Sequence, residues 1–269
     1  MASATYAIFL VMNSISEEEE RVRAVLSKGR NFFKQSSETS ASLVALITHD
    51  LATPLMVIRH RITQLKTASD MERSKILEQL EKSVEQMEGL IQDVKLMRAH
   101  QGGKILLELV SVKILDVVRD AITDLQIKAD KKSIILNLHI DDAVTDSDTV
   151  LADPHTLRTS VVENILSNAI KFSPENSYIN IKVYKQDLQI IIEIQDFGMG
   201  ISSEIKKSLF DFTSPTTHKG TCGEMGTGFG LPLVKLFMDK FQGQIKILSG
   251  DEIGGIGTIV TLSLKPFTK

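Results

Sequence analysis

With 269 residues, 42% of them hydrophobic, the chain has the length for about two domains and enough apolar content for ordinary packed cores. The formal net charge of −3 gives no basic excess of the kind that nucleic acid or an anionic membrane surface requires. A single cysteine, Cys222, excludes an intrachain disulfide and fits a reducing compartment.

The apolar run Tyr6–Met12 is far shorter than the ~20 residues of a membrane-spanning helix, and it lacks the basic start of a secretory signal. No membrane span is expected. The acidic run Glu17–Glu20 and a helical pattern through Val22, Leu26 and Phe33 complete residues 1–36, which read as a linker or signal-transmitting segment.

Residues 37–101 read as two long helices. Leu43, Ile47, Leu51, Leu55, Ile58, Ile62 and Leu65 recur every three or four residues on the first. Ile76, Leu80, Val84, Met87, Ile91 and Val94 do so on the second, and Thr67–Asp70 between them is a short turn with capping residues. An antiparallel hairpin cannot bury two apolar stripes by itself, so pairing with a second copy into a four-helix bundle is expected, which makes a homodimer. Gln101–Lys104 ends the second helix and reads as a hinge.

Residues 102–269 alternate differently. A helix is expected over Val112–Lys131 and a strand over Ile134–Ile140. A second helix starts at Asp153–Pro154, and strands follow at Tyr178–Tyr184 and Leu188–Gln195. A long loop from Gly198 to Gly226 holds a short helical piece, Ser203–Phe212. Pro232 suits the first turn of a helix running to Phe241, and two strands, Gln244–Leu248 and Thr258–Leu264, flank a Gly-rich turn. The fold class expected is α+β: a helical hairpin dimerising into a four-helix bundle, then an α/β sandwich with a mixed sheet and helices on one face.

Four segments carry chemistry. In Ala45–Leu55, His49 is a nucleophile suited to neutral pH, and the next residue, Asp50, can accept from its Nδ1–H and leave Nε2 free to attack. Asn164 and Asn168 lie one turn apart on one helix face, with Lys171 just beyond. An amide oxygen can complete the octahedral shell of Mg²⁺ without adding charge, and a lysine can offset phosphate charge. Asp196 ends an apolar strand, where a carboxylate can accept the exocyclic amine of adenine, and Gly198 and Gly200 follow it. Gly226, Gly228 and Gly230 precede Leu231 and an amphipathic helix, an N-terminus fit for anions. The six histidines show no paired spacing, so a zinc site is not expected.

The order and content of these segments, over roughly residues 37–265, resemble the sensor histidine kinases of two-component signalling. The resemblance implies three regions: 1–36 as linker, 37–101 as dimerisation and histidine-phosphotransfer domain, and 102–269 as the catalytic domain binding ATP and Mg²⁺. It implies that His49 is phosphorylated and that the phosphoryl group passes to an aspartate of a separate response-regulator receiver domain. It implies a phosphatase role for Thr53 with Asp50, Mg²⁺ ligation by Asn168, and a triphosphate hydrogen bond from Asn164. Phe210 (with Phe212) would anchor the lid, and Lys219 would reach the phosphates. Ala52 stands where the family usually has arginine, and the lid lacks the family's frequent arginine. A cytoplasmic location follows, for this chain or for a longer sensor of which it is part. Two alternatives stand beside this one. A clamp-type ATPase of the gyrase and heat-shock superfamily would use Glu163 as its catalytic glutamate, and a degenerate dimeric scaffold would lack catalysis.

Overall fold

The computed structural model describes residues 51–52, 54–101, 107–212, 220–221 and 228–267. Helix α1 covers residues 54–65 and also includes 51–52, so the chain is helical on both described sides of residue 53, next to Pro54. The turn after it closes with Thr67 N–H donating to the Gln64 carbonyl (3.1 Å). Helix α2, Asp70–Gln101, starts on a capping box: Ser69 donates to Glu72 Oε2 through its N–H (2.9 Å) and its hydroxyl (2.7 Å). On α2, Ile76, Ser83 and Leu90 are buried at intervals of seven, and Leu80, Met87 and Val94 are half-buried. Leu77, Val84 and Ile91 form a parallel row that stays exposed, as do Leu55 and Ile62 on α1.

Strand β1 (Val110–Lys113) runs directly into helix α3 (Ile114–Lys131). The helix therefore begins two residues later than the apolar spacing indicates. Val110 and Val112 flank a serine in a β-branched alternation, and they pair antiparallel with β3 (Thr149–Ala152), a strand the sequence reading does not contain. Between them lies β2, Ile135–Ile140.

After β3, Asp153 caps a continuous helical run. Its Oδ1 accepts the Thr156 N–H at 2.9 Å, and Pro154 occupies the first turn. The run comprises α4 (Pro154–Thr156), a π-helical stretch (Leu157–Val162) and α5 (Glu163–Phe172). Strands β4 (Tyr178–Gln186) and β5 (Gln189–Asp196) form a hairpin. Helix α6 is a single turn, Ser203–Lys206, capped by Ser202, so the helical piece expected to reach Phe212 stops early. Helix α7 (Gly230–Lys240), β6 (Gln244–Ser249), a 3₁₀ turn (Gly250–Ile253) and β7 (Thr258–Leu264) follow.

The sheet order is β2-β4-β5-β7-β6, with β2 parallel to β4 and the remaining pairs antiparallel. Burial alternates along β4 and β7, as period-two strands with one covered face require. Ile181, Val183, Ile192, Leu262 and Leu264 on the sheet, and Leu125, Ile165, Ala169, Leu233 and Phe237 on α3, α5 and α7, are all at 5% exposure or less. That core fixes α5 above the end of β5, where the polar residues of both elements converge.

Candidate functional site

Helix α5 buries Ile165, Leu166, Ala169 and Ile170 against the core, so its opposite face must carry Asn164, Asn168 and Lys171. All three line one cavity of about 520 Å³, the size of an ordinary small-ligand site. Asp196, Gly200, Gly228, Gly230 and Leu231 line the same cavity. Three separate sequence segments therefore meet in one place. Ile194, Ile247 and Val260 add aliphatic wall from the sheet, suited to a flat base.

The two asparagines touch: Asn168 Nδ2 donates to Asn164 Oδ1 at 3.2 Å. Lys171 Nζ lies 4.6 Å from the centroid of the Phe172 ring, a cation–π distance. Asp196 is buried, and its Oδ1 accepts the Gly198 N–H at 2.9 Å. Burial pushes its carboxyl up to about 6, against the opposing effect of hydrogen bonds from the Gly198 and Thr258 backbones.

The glycines are demanded by close approach. A Cβ at Gly198 would sit 2.2 Å from the Phe172 carbonyl oxygen, so this residue lets the Asp196 turn press against the end of α5. Gly200 has φ +72, and a Cβ there would meet Ser249 Oγ at 2.9 Å. A Cβ at Gly230 would lie 2.5 Å from Asn164 Oδ1, so the first residue of α7 leaves room for the asparagine itself.

Phe210 and Phe212 are half-buried, and Leu209 between α6 and Phe210 is the buried residue that lines the cavity. His49, Asp50, Thr53, Lys219 and Gly226 lie outside the described residues.

Several residues of the site carry no local sequence signal. Thr258 pairs with Asp196 across β5 and β7 and lines the cavity. Ser249 is buried; its Oγ accepts the Ile201 N–H at 2.8 Å and donates to the Gly257 carbonyl at 2.7 Å, which fastens the turn after Asp196 to the end of β6. Glu163 also lines the cavity, but its Oε1 faces Arg158 Nε at 3.5 Å, an ion-pair distance without hydrogen-bond geometry. Arg158 is shared with Asp120 (3.8 Å) and Asp124 (3.6 Å) on α3. Burial, then the Asp124 carboxylate, raises the Glu163 carboxyl.

A family model described as histidine kinase-, DNA gyrase B-, and HSP90-like ATPase matches residues 152–268, and one described as the His Kinase A (phospho-acceptor) domain matches residues 40–102. The sensor protein kinase PmrB of Pseudomonas aeruginosa is 26% identical over 229 residues, which cover 84% of this chain and 46% of PmrB. This chain spans about a quarter to a half of the length of the curated relatives it matches. In fold, the histidine kinase AdeS of Acinetobacter baumannii matches with a TM-score of 0.62 at 19% identity, over 82% of this chain and 98% of that one. The histidine kinase ThkA, solved in complex with the response regulator protein TrrA, matches with a TM-score of 0.64 at 19% identity, over 84% of this chain and 61% of that one. No helix among the described residues is long and apolar enough to cross a membrane. With a phospho-acceptor domain followed by an ATP-binding domain whose marker residues share one cavity, the chain belongs to the sensor histidine kinases of two-component signalling.

Proposed function

We propose that the chain transfers the γ-phosphoryl group of ATP to His49 and from there to an aspartate of a response regulator. The observation that carries this reading is the single cavity that gathers Asn164, Asn168, Lys171, Asp196 and the glycines 228 and 230. Asp196 accepts from the 6-amine of adenine, where guanine carries an oxo group that cannot donate, between the aliphatic walls of the sheet. Asn164 and Lys171 face the phosphates. Asn168 is the residue that would hold Mg²⁺, and the ion would supply charge neutralisation on the phosphate oxygens. Gly198, Gly200, Gly226, Gly228, Gly230 and Leu231 shape the backbone around the nucleotide, with Phe210 and Lys219 from the intervening segment.

His49 Nε2 attacks the γ-phosphorus in line. An N–P bond forms as the bond to the β,γ-bridging oxygen breaks, and ADP leaves. Asp50 holds the Nδ1–H, and the phosphohistidine then gives its phosphoryl group to the regulator's carboxylate. Thr53 with Asp50 serves the reverse task of dephosphorylating the regulator. The exposed rows Leu77–Val84–Ile91 and Leu55–Ile62 support a homodimer built as a four-helix bundle. The division into residues 1–36, 37–101 and 102–269 follows from the same reading, and a reaction fed by ATP places these domains in the cytoplasm.

Incubation with γ-labelled ATP tests the proposal. Wild-type chain should acquire acid-labile label, and His49→Gln should acquire none. Equal labelling of the two would remove His49 as acceptor. Free phosphate without protein-bound label would favour the clamp-type ATPase, whose glutamate, Glu163, is here engaged with Arg158.

A further inference from the structure

Two ties set helices α3 and α5 side by side, running in the same direction. At one end Arg158 Nη1 lies 3.6 Å from Asp124 Oδ2 on α3, and its Nε lies 3.5 Å from Glu163 Oε1 at the start of α5. At the other end Lys132, the residue just past α3, donates from Nζ to the Ile170 carbonyl at 2.8 Å and the Lys171 carbonyl at 3.1 Å. Between these ties each helix advances by about the same number of residues, roughly 12 Å of rise. Lys128 is midway along α3 between them and therefore stands level with Ser167, the neighbour of Asn168. All three line the cavity, and so does Leu125, one turn before Lys128 on the same face of α3.

Lys128 and Lys171 are the cationic residues among those that line the cavity. Lys171 stacks on the Phe172 ring, whereas the Lys128 ammonium makes no hydrogen bond or ion pair with any described residue. A lysine in the last turn of a helix already complements the helix dipole. Lys131, in the same last turn of α3, does that as well, but it does not line the cavity. The base end of the cavity is at Asp196, whose turn presses on Phe172 at the far end of α5. The level of Lys128 is at least one helical turn from there, toward Asn164 and Asn168. We propose that Lys128 binds the β- and γ-phosphates of the nucleotide, as a point charge on a flexible stem. The proposal rests on the nucleotide reading given above and extends the site to α3, a helix that none of the sequence motifs touches.

Three variants of the full chain test it, each titrated with a non-hydrolysable ATP analogue in the presence of Mg²⁺ and with adenosine. Lys128→Met removes the ammonium and keeps the stem, Lys128→Arg keeps the charge, and Lys131→Met removes the other lysine of the same turn. Lys128→Met should bind the analogue about tenfold more weakly, the effect of losing a hydrogen bond to a charged group, and adenosine with the wild-type affinity. Lys128→Arg should keep most of the affinity for the analogue, and Lys131→Met should bind both ligands as the wild type does. Unchanged affinity of Lys128→Met for the analogue overturns the proposal. An equal loss of adenosine binding overturns it in favour of support of the fold, and an equal loss in Lys131→Met overturns it in favour of a general effect of charge at the end of α3. Failure of the wild-type chain to bind either ligand overturns the nucleotide reading and this proposal with it, whereas a wild type that binds both ligands and a Lys128→Met that matches it remove Lys128 alone.

Discussion

Asp196 shows how one side chain can serve two demands. Its burial lifts the carboxyl to about 6, above its ordinary value, so between about pH 4 and 6 the folded chain holds a proton that the unfolded chain has released. The contribution of this group to stability therefore falls as pH rises through that window. Ligand binding runs the other way, because an amine donor from adenine favours the ionised carboxylate. Adenosine affinity should rise with pH through about 6 and level off above it, and Asp196→Asn should bind weakly with no such rise. Calorimetric titrations between about pH 5 and 8 would show it, and a flat wild-type profile would remove Asp196 from the base pocket. Asp196, Asn164 and Asn168 were legible in the sequence because their spacing from glycines or from each other is local. Thr258 and Ser249 were not, because each acts on a residue at least 48 positions away, across a strand pair or between a turn and a strand end.

At the level of elements, the helical run Pro154–Phe172 depends on Asp153, the residue that caps it. Burial favours the neutral form of Asp153, but hydrogen bonds from the Thr156 and Glu108 N–H groups outweigh it and hold the carboxyl below the usual carboxylate range. The stabilisation is complete above the unfolded-state value and is lost as pH falls through the folded one. Asp153→Ala should lower stability by about 1 kcal/mol at neutral pH and by less in acid. Urea unfolding of both proteins at two pH values would measure the difference, and a gap that widened in acid would contradict the assignment. The sequence made this cap and the long helices readable, because periodicity and capping are properties of neighbours. It hid β1, since Val112 fits the apolar spacing of α3 as well as it fits a strand, and only pairing with β3 decides between them. The π-helical stretch Leu157–Val162 left no pattern in Leu-Arg-Thr-Ser-Val-Val that differs from an α-helix.

For the molecule as a whole, the exposed apolar rows on α1 and α2 are the feature that a single copy leaves unresolved. Replacing Val84 and Ile91 together by aspartate should convert a dimer to monomers by light scattering. Binding of an ATP analogue should remain, because the residues that line the cavity and mark it in the sequence come from one copy. A dimer that survived both charges would place the subunit contact elsewhere. The order of the sheet carries a different implication, for synthesis. Every recognisable cavity motif has been translated once Leu231 is made, but Asp196 gains its neighbour Thr258 only when β7 slots between β5 and β6. A nascent polypeptide cut short before that strand would display all the motifs and possess no pocket, so nucleotide capture awaits insertion of an interior strand that is translated after all its neighbours.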